Sequence, residues 1–127
     1  MDLEQLKLLD PAIVQLAMHG YAHENMSKAT LAETQEALQQ SLNAFESSGL
    51  NWHPVLAYPY GAMPGKDFPQ LKKIMAEMGI KAAFRIGNKV CRVPAPDMYE
   101  LKRIDIKGAD TIADLKIKIR KGKLKPF

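Results

Sequence analysis

Short apolar runs alternate with capped, amphipathic segments along this chain, and that alternation constrains its fold more than any other feature. The runs at residues 12–18, 54–58, 81–86 and 101–106 have the length of buried strands. Between the first two, Thr30 followed by Glu33 has the signature of a capping box. Leu31, Leu38, Leu42 and Phe45 then recur on one helical face, and Gly49 stands where a left-handed C′ residue belongs. Asp67 can cap a second helix with Pro69 in its first turn, an apolar face of Leu71, Ile74, Met75 and Met78, and Gly79 at its end. Residues 2–9 read as a helix stopped before Pro11. Residues 111–121 admit two periods. Ile112, Leu115 and Ile119 fit a helix, whereas Leu115, Ile117 and Ile119 alternate with lysines as in a strand. Asp110 or Thr111 as cap, and Gly122 as stop, favour the helix. The resulting order is helix, strand, helix, strand, helix, strand, strand, helix. It predicts an α/β fold of parallel strands with crossover helices, in one domain over residues 1–127.

In such folds the loops after the strand C-termini carry the chemistry. The first of these loops opens with His19 and His23, two of the three histidines of the chain, four residues apart. That spacing lets two imidazoles converge on one ion, although a His-x3-His pair is also common among ordinary polar loop residues. The second loop, Pro59-Tyr60-Gly61-Ala62-Met63-Pro64-Gly65, is dense in turn residues. By itself it reads rather as a structural proline–aromatic turn with Tyr60 packed on its neighbours. His53 precedes the second strand and reads as a loop histidine.

The charge is unevenly placed. Residues 1–63 hold 2 Lys or Arg against 7 Asp or Glu, a net −5, while residues 64–127 hold 16 against 7, a net +9. The basic half could attract a polyanion, and a small module binding an anionic polymer through residues 102–125 is one functional alternative. It lacks the interleaved aromatics of a base-stacking surface, so a solvated basic face is preferred to a nucleic-acid site. The lone Cys91 excludes an internal disulfide. No apolar stretch is long enough to span a bilayer, and no charged leader precedes an apolar segment, so the chain as given carries no export signal and reads as cytoplasmic only as given, its location otherwise open.

Four segments together resemble one family. The run Leu16-Ala17-Met18-His19-Gly20-Tyr21-Ala22-His23-Glu24-Asn25-Met26 resembles the His-x-x-x-His motif of polysaccharide deacetylases, the family-four carbohydrate esterases. Ala57-Tyr58-Pro59-Tyr60-Gly61 resembles their next motif, often Phe-Ala-Tyr-Pro-Tyr-Gly. Gly79-Ile80-Lys81-Ala82-Ala83-Phe84 resembles the helix end and strand after it, and Leu101-Lys102-Arg103-Ile104-Asp105-Ile106 the late strand with Leu-x-Arg-Ile-x-Val. Order and spacing agree over almost the whole chain. The family's upstream Thr-Phe-Asp-Asp strand has no counterpart here, nor does its final Leu-x-His motif. The chain therefore resembles the C-terminal part of a deacetylase domain, as a truncated, split or divergent gene would give.

That resemblance implies a portion of a distorted (β/α) barrel and a metal-dependent hydrolase of carbohydrate N-acetyl bonds. In the family a divalent ion, held by two histidines and an aspartate, activates water and polarises the carbonyl. A second aspartate is the base, and backbone donors stabilise the oxyanion. His19 and His23 match the metal histidines. Tyr60 matches the residue whose backbone N–H serves the oxyanion, with Pro59 shaping the turn. Glu24 and Asp105 match neither aspartate, and Arg103 reads most simply as a strand-end arginine in an ion pair, although the family often has arginine there. The expectation is zinc or another divalent metal weakly held, with an N-acetylated oligo- or polysaccharide as ligand. The domain would be incomplete or inactive alone, and an open sheet edge would be covered by a homo-oligomer or a separate N-terminal half. A catalytically dead relative that binds carbohydrate or assembles with a partner is the other alternative.

Overall fold

The structure, a computed structural model, describes residues 1–122. Four strands, β1 (Leu16–Met18), β2 (Trp52–Ala57), β3 (Ala82–Ile86) and β4 (Leu101–Arg103), form one sheet in the order β1-β2-β3-β4, every pair parallel. Helix α1 (Leu3–Lys7) precedes the sheet, α2 (Leu31–Ser48) and α3 (Phe68–Glu77) are the first two crossovers, and α4 (Ile112–Lys121) follows it. A loop without a helix joins β3 to β4. The predicted α/β alternation is therefore present. The sheet is open, not closed into a barrel, and among the described residues β1 is paired on one side alone, with β2.

The helices form where their caps and faces direct. Thr30 Oγ1 accepts from the Glu33 N–H, while the Glu33 carboxylate accepts from the Thr30 N–H at 2.7 Å, a reciprocal capping box. Gly49 ends α2 at φ 70°. The buried side of α2 carries Leu38 and Leu42, with Leu31 and Phe45 packed against the same core. Leu71 and Met75 of α3 share this core with Met18, Leu56, Tyr58 and Ala83 of the strands and their ends. Thr111 and Asp114 form a second capping box and Gly122 a left-handed stop, which settles residues 111–121 as helical. The Ile112, Leu115 and Ile119 stripe of that helix does not reach the core: Ile112 is 74% exposed and Ile119 58%. α4 is instead fastened by Lys118, which is buried and donates to the Asp110 carboxylate and to the Asp105 carbonyl. Among the described residues no helix is long and apolar enough to cross a membrane.

Several predicted strand boundaries move. The run 12–18 supplies only three strand residues, and Ile13 is 81% exposed. Asp10 takes the donors upstream: its carbonyl accepts from Ile13 and Val14 (3.0 and 2.9 Å) and its carboxylate from Ala12 (2.9 Å), so the chain turns there before it can extend. The run 101–106 is likewise a strand only to Arg103. Beyond that residue the Asn88 side chain takes the Asp105 N–H at 2.7 Å, leaving Ile106 exposed. The second strand starts at Trp52, two residues before the predicted start, and ends one residue sooner. Asp67 occupies the N-cap of α3, but its side chain makes no capping bond, and the proline in the first turn does the initiating.

Candidate functional site

The parallel pairing of β1 with β2 brings their C-terminal ends together, and with them the two motif loops. His19 follows the last residue of β1 and Ala57 is the last of β2; His19 Nδ1 lies 2.7 Å from the Ala57 carbonyl oxygen. A carbonyl only accepts, so Nδ1 carries a hydrogen, and in the neutral ring it is Nε2 that keeps the lone pair. This is the way protein ligands to metals are commonly fixed: one ring nitrogen donates to a backbone oxygen, which sets the tautomer and leaves the other nitrogen basic.

His23 lies beside His19, ring centroids 4.9 Å apart and planes at 65°. Tyr60 also packs edge-on with His23, at 4.5 Å and 70°. His19, His23 and Tyr60 are thus contiguous, with Tyr60 63% exposed. Both His23 (φ 59°) and Tyr60 (φ 57°) hold left-handed backbone, a conformation that costs a non-glycine residue about 1–2 kcal/mol. Such concentrations of strain belong to sites whose surroundings over-determine them.

Gly20 makes the meeting of the loops possible. At φ 76° it turns the chain after His19, and a Cβ on it would stand 2.5 Å from Glu24 Oε2 and 3.2 Å from Pro59 Cγ. Glu24 braces the loop from beneath: its carboxylate accepts from the Ala22 N–H at 2.6 Å and the Tyr21 N–H at 3.1 Å. Partial burial works to raise its pKa, but the N–H groups of Ala22, Glu24 and Tyr21, with the nearby His23, outweigh it and hold the carboxyl below the ordinary range. With both oxygens so engaged, Glu24 is a loop brace and not a spare ligand.

The second loop is a single 3₁₀ turn, Pro59–Gly61, in which Pro59 is buried. The N–H groups of Gly61 and Ala62 close it on the carbonyls of Tyr58 and Pro59 (2.9 and 3.0 Å); among the described residues the Tyr60 N–H has no such partner. Tyr58 anchors the turn from below. It is fully buried, its hydroxyl donates to the Tyr99 carbonyl at 3.0 Å, and burial drives its pKa upward. His53 is exposed on the N-terminal part of β2, away from this end of the sheet.

Among the described residues no group of three or more His, Cys, Asp or Glu is placed to hold a metal. The two imidazoles are adjacent, and no described carboxylate or thiol joins them in such a group. The structure also corrects one expectation. Among the described residues none forms an ion pair with Arg103: the pairs use Lys7, Lys72, Arg85, Lys107 and Lys118, and no described residue bonds the buried Arg103 Nε. Sequence reasoning also passed over Gly20 and Gly61, although a glycine beside each motif is a signal that two backbones approach there. The anionic-polymer reading of residues 102–125 falls partly outside the described residues; within them, Lys116, Arg120 and Lys121 are exposed on α4. Comparison of the chain with protein-family models, with curated proteins and with solved structures gives no match.

Proposed function

We propose that this chain is the histidine-bearing portion of a polysaccharide-deacetylase-like hydrolase, built as part of a distorted (β/α) barrel and dependent on a further segment for a complete site. The observation that carries the reading is the His19 Nδ1–Ala57 hydrogen bond beside His23, which presents two imidazoles at the shared end of two parallel strands. His19 and His23 would hold a zinc or similar divalent ion, which when bound supplies an activated water and a polarised carbonyl. The chain's own contribution is then positional. Ala57 fixes the His19 tautomer, Tyr60 flanks His23, and the unpartnered Tyr60 N–H is a donor of the kind that an oxyanion needs. A carboxylate ligand, a base and an acid would come from outside the described residues. The ligand class is an N-acetylated saccharide.

Zinc calorimetry tests the reading. Two neutral imidazoles are half of a four-coordinate site, so binding should be weak, and His19→Ala or His23→Ala should abolish it while His53→Ala leaves it intact. Equal zinc binding by the double variant His19→Ala/His23→Ala would overturn it.

A further inference from the structure

Arg103 ends β4 as His19 follows the end of β1, so both lie along the C-terminal edge of the same parallel sheet. The two positions are separated by three strand spacings, roughly 14 Å. The intervening ground is continuous. Tyr60 and Gly61 cap β2, and a Cβ on Gly61 would stand 2.8 Å from both the backbone nitrogen and Cγ1 of Ile86, the last residue of β3. Ile86 is in turn the register partner of Arg103. Beyond Ile86 opens a pocket of about 270 Å³ lined by Ile86, Arg103, Ile104 and Asp105, room for one hexose-sized group.

The chemistry of that pocket is unbalanced. Arg85, the other arginine near this sheet end, gives its guanidinium to Glu100 at 2.7 Å. Among the described residues Arg103 has no carboxylate within ion-pair distance; its Nε is buried without a partner, as that of Arg85 is, so the missing ion pair is what sets Arg103 apart. Arg103 is half-buried, so its guanidinium is reachable from this pocket, and a guanidinium matches the two oxygens of a carboxylate or phosphate by shape. Asp105 lines the same pocket and would repel an anion, but Lys107 lies 4.0 Å from its carboxylate and offsets part of that charge. The residual acidity favours a singly charged carboxylate over a doubly charged phosphate. Ile86 and Ile104 supply the apolar wall on which a sugar ring can rest.

We infer that Arg103 is the anchor of an anion subsite, and that the saccharide lying along this edge carries a carboxylate, as a uronic acid does, three strand spacings from the histidine pair. The inference rests on the proposed function only for the neutral part of that ligand; the anion subsite stands on Arg103 alone. The test is an NMR titration that reads the Nε–H signals of Arg103 and Arg85 in the full chain. Glucuronate should shift Arg103 saturably and leave Arg85 in place. Inorganic phosphate should shift Arg103 less, and N-acetylglucosamine should not shift it. A tetrasaccharide alternating glucuronate with N-acetylglucosamine should bind better than a neutral N-acetylglucosamine tetramer. Arg103→Gln should lower its affinity by about tenfold, the effect of losing a charge-assisted pair. Glucuronate should still shift Arg103 in the His19→Ala/His23→Ala protein, so loss of the metal reading would leave this result standing. Equal shifts of Arg85 and Arg103, no shift of Arg103 with glucuronate, or an equal response to the neutral sugar would overturn the subsite.

Discussion

The Nδ1 nitrogen of His19 sits 2.7 Å from the carbonyl oxygen of Ala57, which ties the end of one parallel strand to the end of its neighbour. One hydrogen bond thereby does two things: it closes the sheet end on which both motif loops stand, and it selects the tautomer in which His19 Nε2 is a base. His19→Asn would keep a donor for Ala57 but offer no imidazole. That variant should fold as stably as wild type, within about 1 kcal/mol in urea denaturation, the worth of a typical hydrogen bond, while losing zinc binding in calorimetry. A variant that retained zinc binding would show that His19 is only a structural tie.

Gly20→Ala should be disproportionately harmful for so small a change. The position holds φ 76°, which costs an alanine about 1–2 kcal/mol, and the new Cβ would collide with Glu24 Oε2 at 2.5 Å. Relief requires Glu24 to leave the Tyr21 and Ala22 N–H groups. Urea denaturation should show a loss of at least that backbone cost. The His23 and Tyr60 ring contacts should loosen in NMR spectra, with zinc binding weakened further. A fully stable Gly20→Ala protein would contradict the close packing of the loop.

Glu24 predicts an acid dependence of the same loop. Its folded carboxyl lies below the ordinary value of 4.5, so the stabilisation is full above that value. It is lost as pH falls through the lower folded value, where the carboxylate protonates and the N–H groups lose a charged acceptor. Glu24→Gln should therefore be less stable than wild type at pH 7, and the difference should shrink as pH falls below 4.5. Thermal unfolding across that range reads the difference directly and subtracts the other acidic caps, Glu33, Asp110 and Asp114, whose carboxyls are also depressed. A difference independent of pH would remove the charge from the explanation.

Much of this architecture was legible in the residues because its signals are local. Thr30 with Glu33, Thr111 with Asp114, and Gly49 and Gly122 at φ 70° and 80° are satisfied within a few residues of themselves, so no tertiary knowledge is needed to place α2 and α4. The strand ends were not legible, because they depend on competition for donors. Asp10 captures the amides of 12–14, and Asn88, seventeen residues away in sequence, captures that of Asp105. The histidine pair could be read from spacing, since four residues and a glycine suffice to cluster two rings. The unpaired state of Arg103 could not, because an arginine at a strand end has the same sequence signature whether or not a carboxylate reaches it. Nor could the burial of Lys118, which only the fold brings to Asp110 and to the Asp105 carbonyl.

The last prediction concerns activity. The chain alone should not release acetate from N-acetylglucosamine oligomers at a meaningful rate. Without a carboxylate ligand the ion would be weakly held, and the described residues offer no third ligand. Without a positioned base the reaction forgoes general-base assistance, typically about a hundred- to ten-thousand-fold. Glu24 cannot take that part while its oxygens hold the Tyr21 and Ala22 amides. The Tyr60 N–H remains as a donor, but a stabilised oxyanion gains little when no water is poised to form it. These groups act as a unit, so restoring one should not restore rate in proportion. Adding a separate segment that carries an Asp-Asp strand should raise zinc affinity first, and should yield acetate only if it docks beside His19 and His23. The one-sided pairing of β1 offers the edge on which such a strand could add. Acetate release and zinc affinity, measured in the same titration with wild type and His19→Ala, separate the outcomes. Zinc-dependent release from the chain alone, abolished by His19→Ala, would show that a carboxylate already present in this chain serves as the base.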